Sequence, residues 1–474
     1  MLFNSITFLL FLPIVFTLFW LFKQQLRVQN LILLVASYVF YAWWDWRFLG
    51  LIIASTVVDY TVGIYLPKTR QPSKRKALLY ISLIFNLGLL GFFKYYNFFV
   101  DSFVEAFANA GINLEPSSLQ IILPVGISFY TFQTLSYTID VYKKQISPTH
   151  HILNFATYVA FFPQLVAGPI ERASQLLPQF SLSKKFNFEF AKSGIYLIIW
   201  GFFKKVVVAD NAAFFVNQIF DDPSSQSSLS LMLGAILFAF QIYGDFSGYS
   251  DIAIGVARLF GFKLMTNFTY PYFSRDIAEF WRRWHISLST WFRDYLYIPL
   301  GGSRGSKIFQ LRNVMIIFLV SGFWHGANYT FIVWGAIHGL LFLPLLLTNT
   351  NRRNLTGSKL SIRNLSGVFL TFILVCLAWI FFRAANVSLA YQYILSIFEF
   401  NSIDLGVFLK NNKNVLFFVV SLISIFILLL TEYFAFINDR KEVNLNKFKA
   451  IFFILLIMFL GVFKNPSDFI YFQF

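Results

Sequence analysis

Apolar residues run along this chain in long blocks rather than in alternation. Blocks with few charges recur at about Ile6–Phe22, Leu31–Trp44, Phe48–Leu66, Ala77–Phe93, Ile121–Leu135, Ile152–Val166, Gly194–Val208, Leu229–Tyr243, Val314–Leu347, Leu365–Phe382, Val415–Leu430 and Ala450–Val462. A spanning helix needs about 20 mostly apolar residues. The blocks therefore predict an all-α polytopic membrane protein with about 11–13 membrane helices, some short enough to be tilted or re-entrant. The Val314–Leu347 block is too long for one helix and predicts a break near Gly322–Gly326. No fixed-period repeat interrupts the pattern, and no pair of similar halves marks a transporter.

The loops between blocks set an orientation. Lys23 and Arg27 follow the first block, and Lys68, Arg70, Lys74, Arg75 and Lys76 follow the third. The positive-inside rule places both loops in the cytoplasm and the N-terminus outside it. The stretch 97–118 has acids but no Lys or Arg, as an outer loop should. The first block lacks a basic flank and a small-residue cleavage site, so it reads as a retained span.

Composition agrees. Of the 474 residues, 57% are hydrophobic and only 13% charged, about half the share of a soluble domain. The net charge of +16 would suggest nucleic acid in a soluble protein. Here the basic residues sit in short loops, so they read as topology signals and contacts to anionic lipid. The lone Cys376 admits no internal disulfide. Between Asp251 and Arg312 arginines mix with Phe273, Phe280, Trp281, Trp284, Trp291, Tyr295 and Tyr297, a pattern that predicts interfacial helices in the headgroup region.

Five histidines are few enough to inspect singly. His150 and His151 lie in a polar loop. His325 lies in Ser-Gly-Phe-Trp-His-Gly, inside an apolar block where an ionisable group is costly and usually functional. His338 follows 13 residues later. On one straight helix the two would be about 140° and about 20 Å apart, so they share a reaction only if the helix breaks. His285 closes Phe-Trp-Arg-Arg-Trp-His, with Trp281 at i−4 on its helical face; it reads as an interfacial anchor or a substrate-orienting residue. The spacings match no short metal-ligand pattern, and no metal site is expected. Gly244-Asp-Phe-Ser-Gly-Tyr-Ser-Asp251 ends an apolar block and reads as a polar cap and turn or as the wall of a substrate channel. Neither a Gly-x-Ser-x-Gly elbow nor a Walker motif occurs.

Several stretches together resemble the membrane-bound O-acyltransferase family, in its bacterial alginate and peptidoglycan O-acetylation branch. They are 124–133 (PVGISFYTFQ), 162–170 (FPQLVAGPI), 243–251 (YGDFSGYSD), 280–289 (FWRRWHISLS), 293–302 (RDYLYIPLGG) and 322–326 (GFWHG). The resemblance implies one domain over 1–474, with a core at about 120–345, peripheral spans at 1–119 and 346–474, and helices around a central tunnel. It maps the catalytic histidine to His325 and a second important histidine to His285. The expected substrate-binding residues are Asp245, Ser247, Trp281, Trp284, Trp324, Asn328 and His338. The implied reaction takes an acetyl group from a cytoplasmic donor, acetyl-CoA, toward an extracytoplasmic polysaccharide through a periplasmic acetyltransferase partner. That places the protein in the bacterial inner membrane. D-alanyl transfer to teichoic acid is the alternative within the family, and a transporter without acyl chemistry the alternative outside it.

Overall fold

The computed structural model describes residues 1–114, 119, 121–166, 168–355, 362–400, 402–464 and 469–470. The described residues are helical, with no strand among them, as the apolar blocks predict. Part of the expected outer stretch 97–118 lies outside the described residues. The chain forms two compact units, one of residues 1–194 and 253–265, the other of 195–252 and 266–474.

The first unit holds α1 (Ile6–Leu21), α2 (Leu26–Ala42), α3 (Leu49–Lys68), α4 (Pro72–Leu90), α5 (Tyr96–Asn109), α6 (Ile127–Tyr142), α7 (Ile152–Ala160), α8 (Phe162–Leu165) and α9 (Ala173–Leu176). Its outside is apolar: Ile6, Leu9, Leu10 and Ile14 of α1 are all exposed. Its inside is partly polar. Asp59 of α3 accepts hydrogen bonds from Ser82 and from Asn86 Nδ2 (2.8 Å) of α4, and from Thr138 Oγ1 of α6 (2.8 Å). Ser55 donates to Asn86 Oδ1 at 2.6 Å. Where lipid is the solvent, buried polar contacts between helices replace the hydrophobic effect as the adhesive. Close approach of α3 to α6 also needs Gly63, since a Cβ there would lie 2.7 Å from the Tyr137 hydroxyl.

Helix α10 (Phe188–Phe202) runs through a wide π-helical segment, Phe203–Ala209, into α11 (Asp210–Asp221). It is followed by α12 (Ser228–Leu259), α13 (Ile277–Arg283), α14 (Ile286–Phe292), α15 (Lys307–His325), α16 (Tyr329–Leu347), α17 (Ile362–Arg383), α18 (Val387–Phe398), α19 (Gly406–Leu409), α20 (Asn412–Ile437) and α21 (Lys447–Leu460). Among the described residues seven helices are long and apolar enough to cross a membrane: Trp46–Lys68, Pro72–Asn109, Ser228–Leu259, Lys307–His325, Tyr329–Leu347, Asn364–Arg383 and Asn412–Ile437. Helices α1, α2 and α18 are apolar but shorter.

Two expectations need correction. The blocks 121–135 and 152–166 are not single spans: the first begins in extended chain before α6, and the second divides into α7 and α8 at Phe161. The Gly244–Asp251 stretch is neither cap nor turn, because α12 continues through it to Leu259. Two close contacts hold it there. A Cβ on Gly201 would lie 2.5 Å from the Gly248 carbonyl oxygen, and one on Gly248 would lie 2.7 Å from that of Gly201. The carboxylates are neutralised, Asp245 by Lys205 (2.9 Å) and Asp251 by Lys204 (2.6 Å). The aromatics of 273–297 range from buried to half-buried. Phe280 and Trp284 are 1% exposed and Trp291 is buried, while Phe273, Trp281, Tyr295 and Tyr297 are half-buried.

Candidate active site

The long apolar block breaks one residue beyond His325. Helix α15 ends there, Gly326 turns extended, and the Asn328 side chain caps α16 by accepting from Thr330 N at 3.0 Å. The two helices then pack back on each other as a hairpin. Its crossing is built on glycine: a Cβ on Gly322 would lie 2.2 Å from the Phe331 carbonyl oxygen, and one on Gly335 would lie 2.3 Å from that of Phe318. Gly326 is needed for the same reason, because its Cβ would strike the Phe331 ring at 2.0 Å.

The reversal changes the standing of His338. The straight-helix separation no longer applies, and His325 and His338 both pack edge-on against Trp334, at 5.0 and 4.9 Å between ring centroids. Trp281 Nε1 donates to His338 Nδ1 at 3.3 Å, so the neutral His338 carries its proton on Nε2. His325 also meets Trp324 at 4.9 Å and Phe382 at 5.4 Å.

His285 reaches the same group differently. Helix α13 stops at Arg283, Trp284 is extended, and His285 has the left-handed φ of 43°. The i−4 relation to Trp281 therefore fails: Trp281 packs on His338 at 5.0 Å, and Trp284 stacks on Phe280 at 5.5 Å. His285 instead meets Phe246 of α12 at 4.7 Å and Trp324 at 6.1 Å. Trp324 thus touches both His285 and His325.

Asn267, which no sequence pattern had marked, orients His285. Its Oδ1 accepts from Ser287 N (3.3 Å) and Ser287 Oγ (2.9 Å), and its Nδ2 donates to Ser250 Oγ (3.1 Å). The backbone N–H can only donate, so the amide orientation is determined. The contact of Oδ1 with His285 Nδ1 at 3.0 Å must then be donation from Nδ1–H. That tautomer leaves the basic lone pair on Nε2. Burial lowers the His285 pKa well below its ordinary value and keeps the ring neutral.

The structure thus gathers His285, His325, His338, Trp281, Trp284 and Trp324 into one aromatic cluster, closed by Trp334, Trp379 and Phe382. No motif marks Trp334 or Trp379; both lie on apolar blocks, where a tryptophan looks like any other core residue. The remaining expected residues, Asp245, Ser247 and Asn328, make structural bonds with residues outside the cluster. Ser247 Oγ donates to Tyr243 O at 2.6 Å. Asp245 pairs with Lys205 and accepts from Ile470 N at 2.7 Å. Asn328, besides capping α16, donates to Ala385 O at 2.9 Å.

Such a cluster can hold neutral imidazole bases in a nearly dry aromatic enclosure, which suits proton abstraction from a hydroxyl beside a water-sensitive acyl donor. Comparison with known proteins agrees with that chemistry. The family model for membrane-bound O-acyltransferases matches residues 142–382. The chain belongs to the membrane-bound O-acyltransferase family. A Pseudomonas aeruginosa protein named "Probable alginate O-acetylase AlgI" is 43% identical over 416 residues, covering 86% of this chain and 76% of its own. The "Peptidoglycan O-acetyltransferase" of Helicobacter pylori is 36% identical, covering 85% and 81%. The "Teichoic acid D-alanyltransferase" of Streptococcus thermophilus is more distant, 28% identical over 60% of this chain. The protein is a multi-pass membrane O-acyltransferase, and all three clustered histidines fall within the matched family segment.

Proposed function

We propose that this O-acyltransferase passes an acetyl group from cytoplasmic acetyl-CoA toward an extracytoplasmic polysaccharide such as alginate or peptidoglycan. In this reading it sits in the bacterial inner membrane with its N-terminus outside the cytoplasm, and a periplasmic acetyltransferase partner completes the transfer. The observation that carries the reading is the placement of His285 and His325 against one indole, Trp324. Similarity supports acetyl over D-alanyl transfer: the acetylating relatives are 36–44% identical over most of the chain, the D-alanyl relatives 28–30% over less of it.

His325 acts as the base. It takes the proton of the acceptor hydroxyl as that oxygen attacks the thioester carbonyl. The carbon–sulfur bond then breaks, and the departing thiolate receives the proton from the imidazolium. His285, fixed by Asn267, presents Nε2 to the reacting groups and orients them. His338, held by the Trp281 indole, supports the wall of the enclosure. Exclusion of water protects the thioester from hydrolysis.

The test is the O-acetyl content of the exported polymer in cells carrying His325→Ala, with membrane levels of the protein checked alongside. Acetylation should fall to background. Normal acetylation at normal protein level would refute the assignment. D-alanine esters in place of acetyl esters would move the protein to the teichoic acid branch.

A further inference from the structure

In the first unit, a cavity of about 690 Å³ opens where three helices end. Helix α3 stops at Lys68, α4 starts at Pro72 and α6 stops at Tyr142. The first two belong to helices long and apolar enough to span, so the cavity lies at the end of two spans, at the depth of lipid headgroups.

Its charge is one-sided. The described lining includes Arg70, Arg75 and Lys144 and no Asp or Glu. The ends of α3 and α6 would by themselves favour a cation, because their last carbonyls carry partial negative charge. Arg75 removes that preference. Its guanidinium donates to Leu66 O (3.1 Å) and Tyr142 O (2.7 Å) and lies over the Tyr142 ring at 5.4 Å. Arg75 is therefore committed to structure. Arg70 and Lys144 are exposed and have no ion pair among the described residues. Lys144 is held at φ 60° by Lys144 N donating to Val141 O (3.1 Å), with Gln145 N donating to Asp140 O (2.8 Å) directly after it. Thr69 and Gln145 add uncharged polar groups to the lining.

We infer that this cavity binds a phosphate ester. Two uncompensated cations beside hydroxyl and amide groups match an anion with several acceptor oxygens. The volume falls within the range of about 300–1,000 Å³ usual for small-molecule sites, well beyond what a bare ion would need. Two sources share this chemistry: an anionic phospholipid headgroup, for which basic pockets between helix ends are suited, and the phosphates of a soluble nucleotide. None of the lining residues belongs to the histidine cluster, so the inference does not depend on the assignment of the bases.

The experiment uses the full chain, purified and reconstituted in phosphatidylcholine nanodiscs, as wild type, as the Arg70→Gln/Lys144→Gln double variant and as an Arg352→Gln/Arg353→Gln control. Two probes are applied: adenosine 3′,5′-bisphosphate by calorimetry, and phosphatidylglycerol by counting retained lipid in native mass spectrometry. At about fivefold per juxtamembrane cation, the double variant should bind at least tenfold more weakly to one probe, with the control unchanged. Loss confined to the bisphosphate identifies a soluble phosphate; loss confined to phosphatidylglycerol identifies a headgroup. Both substituted side chains are exposed, so thermal stability should not change. Equal binding by wild type and double variant, or no binding of either probe by wild type, overturns the inference.

Discussion

His285 donates its Nδ1 proton to Asn267 Oδ1 across 3.0 Å, and the Ser287 backbone N–H on the same oxygen fixes which way that amide faces. The imidazole is held in one tautomer and one orientation by a residue 18 positions earlier in the chain. Asn267→Ala should leave His285 buried but free to change tautomer. We expect kcat to fall about tenfold, less than the roughly 10²–10⁴-fold contribution of a general base itself, with little change in KM. Nitrogen-15 NMR of the labelled histidines should show the His285 signals shift toward mixed tautomers. An unchanged spectrum would detach Asn267 from the site.

The three histidines should not be equivalent. His325→Ala removes the proposed base and should cost about 10²–10⁴-fold in acetyl transfer. His338→Phe keeps a ring of similar shape against Trp334 but loses the Trp281 bond. It should retain most activity and lose about 1 kcal/mol of stability. Comparing transfer rates in purified membranes tests the order. A His338→Phe enzyme as inactive as His325→Ala would place His338 in the chemistry.

The α15–α16 hairpin should tolerate no side chain at its crossing. Gly322→Ala places a methyl 2.2 Å from a carbonyl oxygen, and the backbone cannot yield locally. A cost of about 1–3 kcal/mol is expected from overpacking, seen as a lower Tm in detergent. Activity should drop with it, since the same hairpin carries His325 and His338.

Lys205 lies 2.9 Å from both Asp210 and Asp245, and all three side chains are buried. Lys205→Met leaves two carboxylates without their cation. Removal of one partner of a buried pair costs about 3–5 kcal/mol. The triple variant Lys205→Met/Asp210→Asn/Asp245→Asn should recover much of that loss. Thermal melts of the single and triple variants measure the difference; equal destabilisation would show that the charges are not coupled.

Glu171, in the loop after α8, gives a pH dependence. It is buried, Oε1 accepts from Met265 N at 2.6 Å, and burial raises its pKa to about 8. The unfolded value is about 4.5. Because the folded value is the higher one, the fold disfavours the ionised form. Stability should be full below pH 4.5, decline as pH rises toward 8 and level off above it. Glu171→Gln should flatten that interval in a Tm-against-pH series.

The sequence made some of this readable. Hydropathy blocks predicted an all-helical membrane protein, and the glycines around His325 predicted the break that makes the hairpin. Other parts depend on contacts that no local pattern records. The ionic partner of Asp245 is Lys205, 40 residues earlier, so the carboxylate looked like a cap when it is an ion-pair residue inside α12. Helical spacing puts His285 on the face of Trp281, but the chain leaves the helix at Trp284 and enters the left-handed region at His285. Asn267 carries no motif at all; its burial and its three neighbours make it important, and neither is visible in one dimension.

The wide segment Phe203–Ala209 has a consequence for how this chain can change length. A π-helical turn is equivalent to one residue added to an α-helix. Here Lys204 and Lys205, neighbours in sequence, both face inward to separate carboxylates. Deleting a single residue from the segment would restore an ordinary helix, and α11 beyond it would keep its face, because the wide turn had already absorbed the extra residue. Within the segment the positions would close up by one, and one of the two lysines would then lose its acid. The stretch is a counted spacer: its composition can drift, but its number of residues is fixed by two charges.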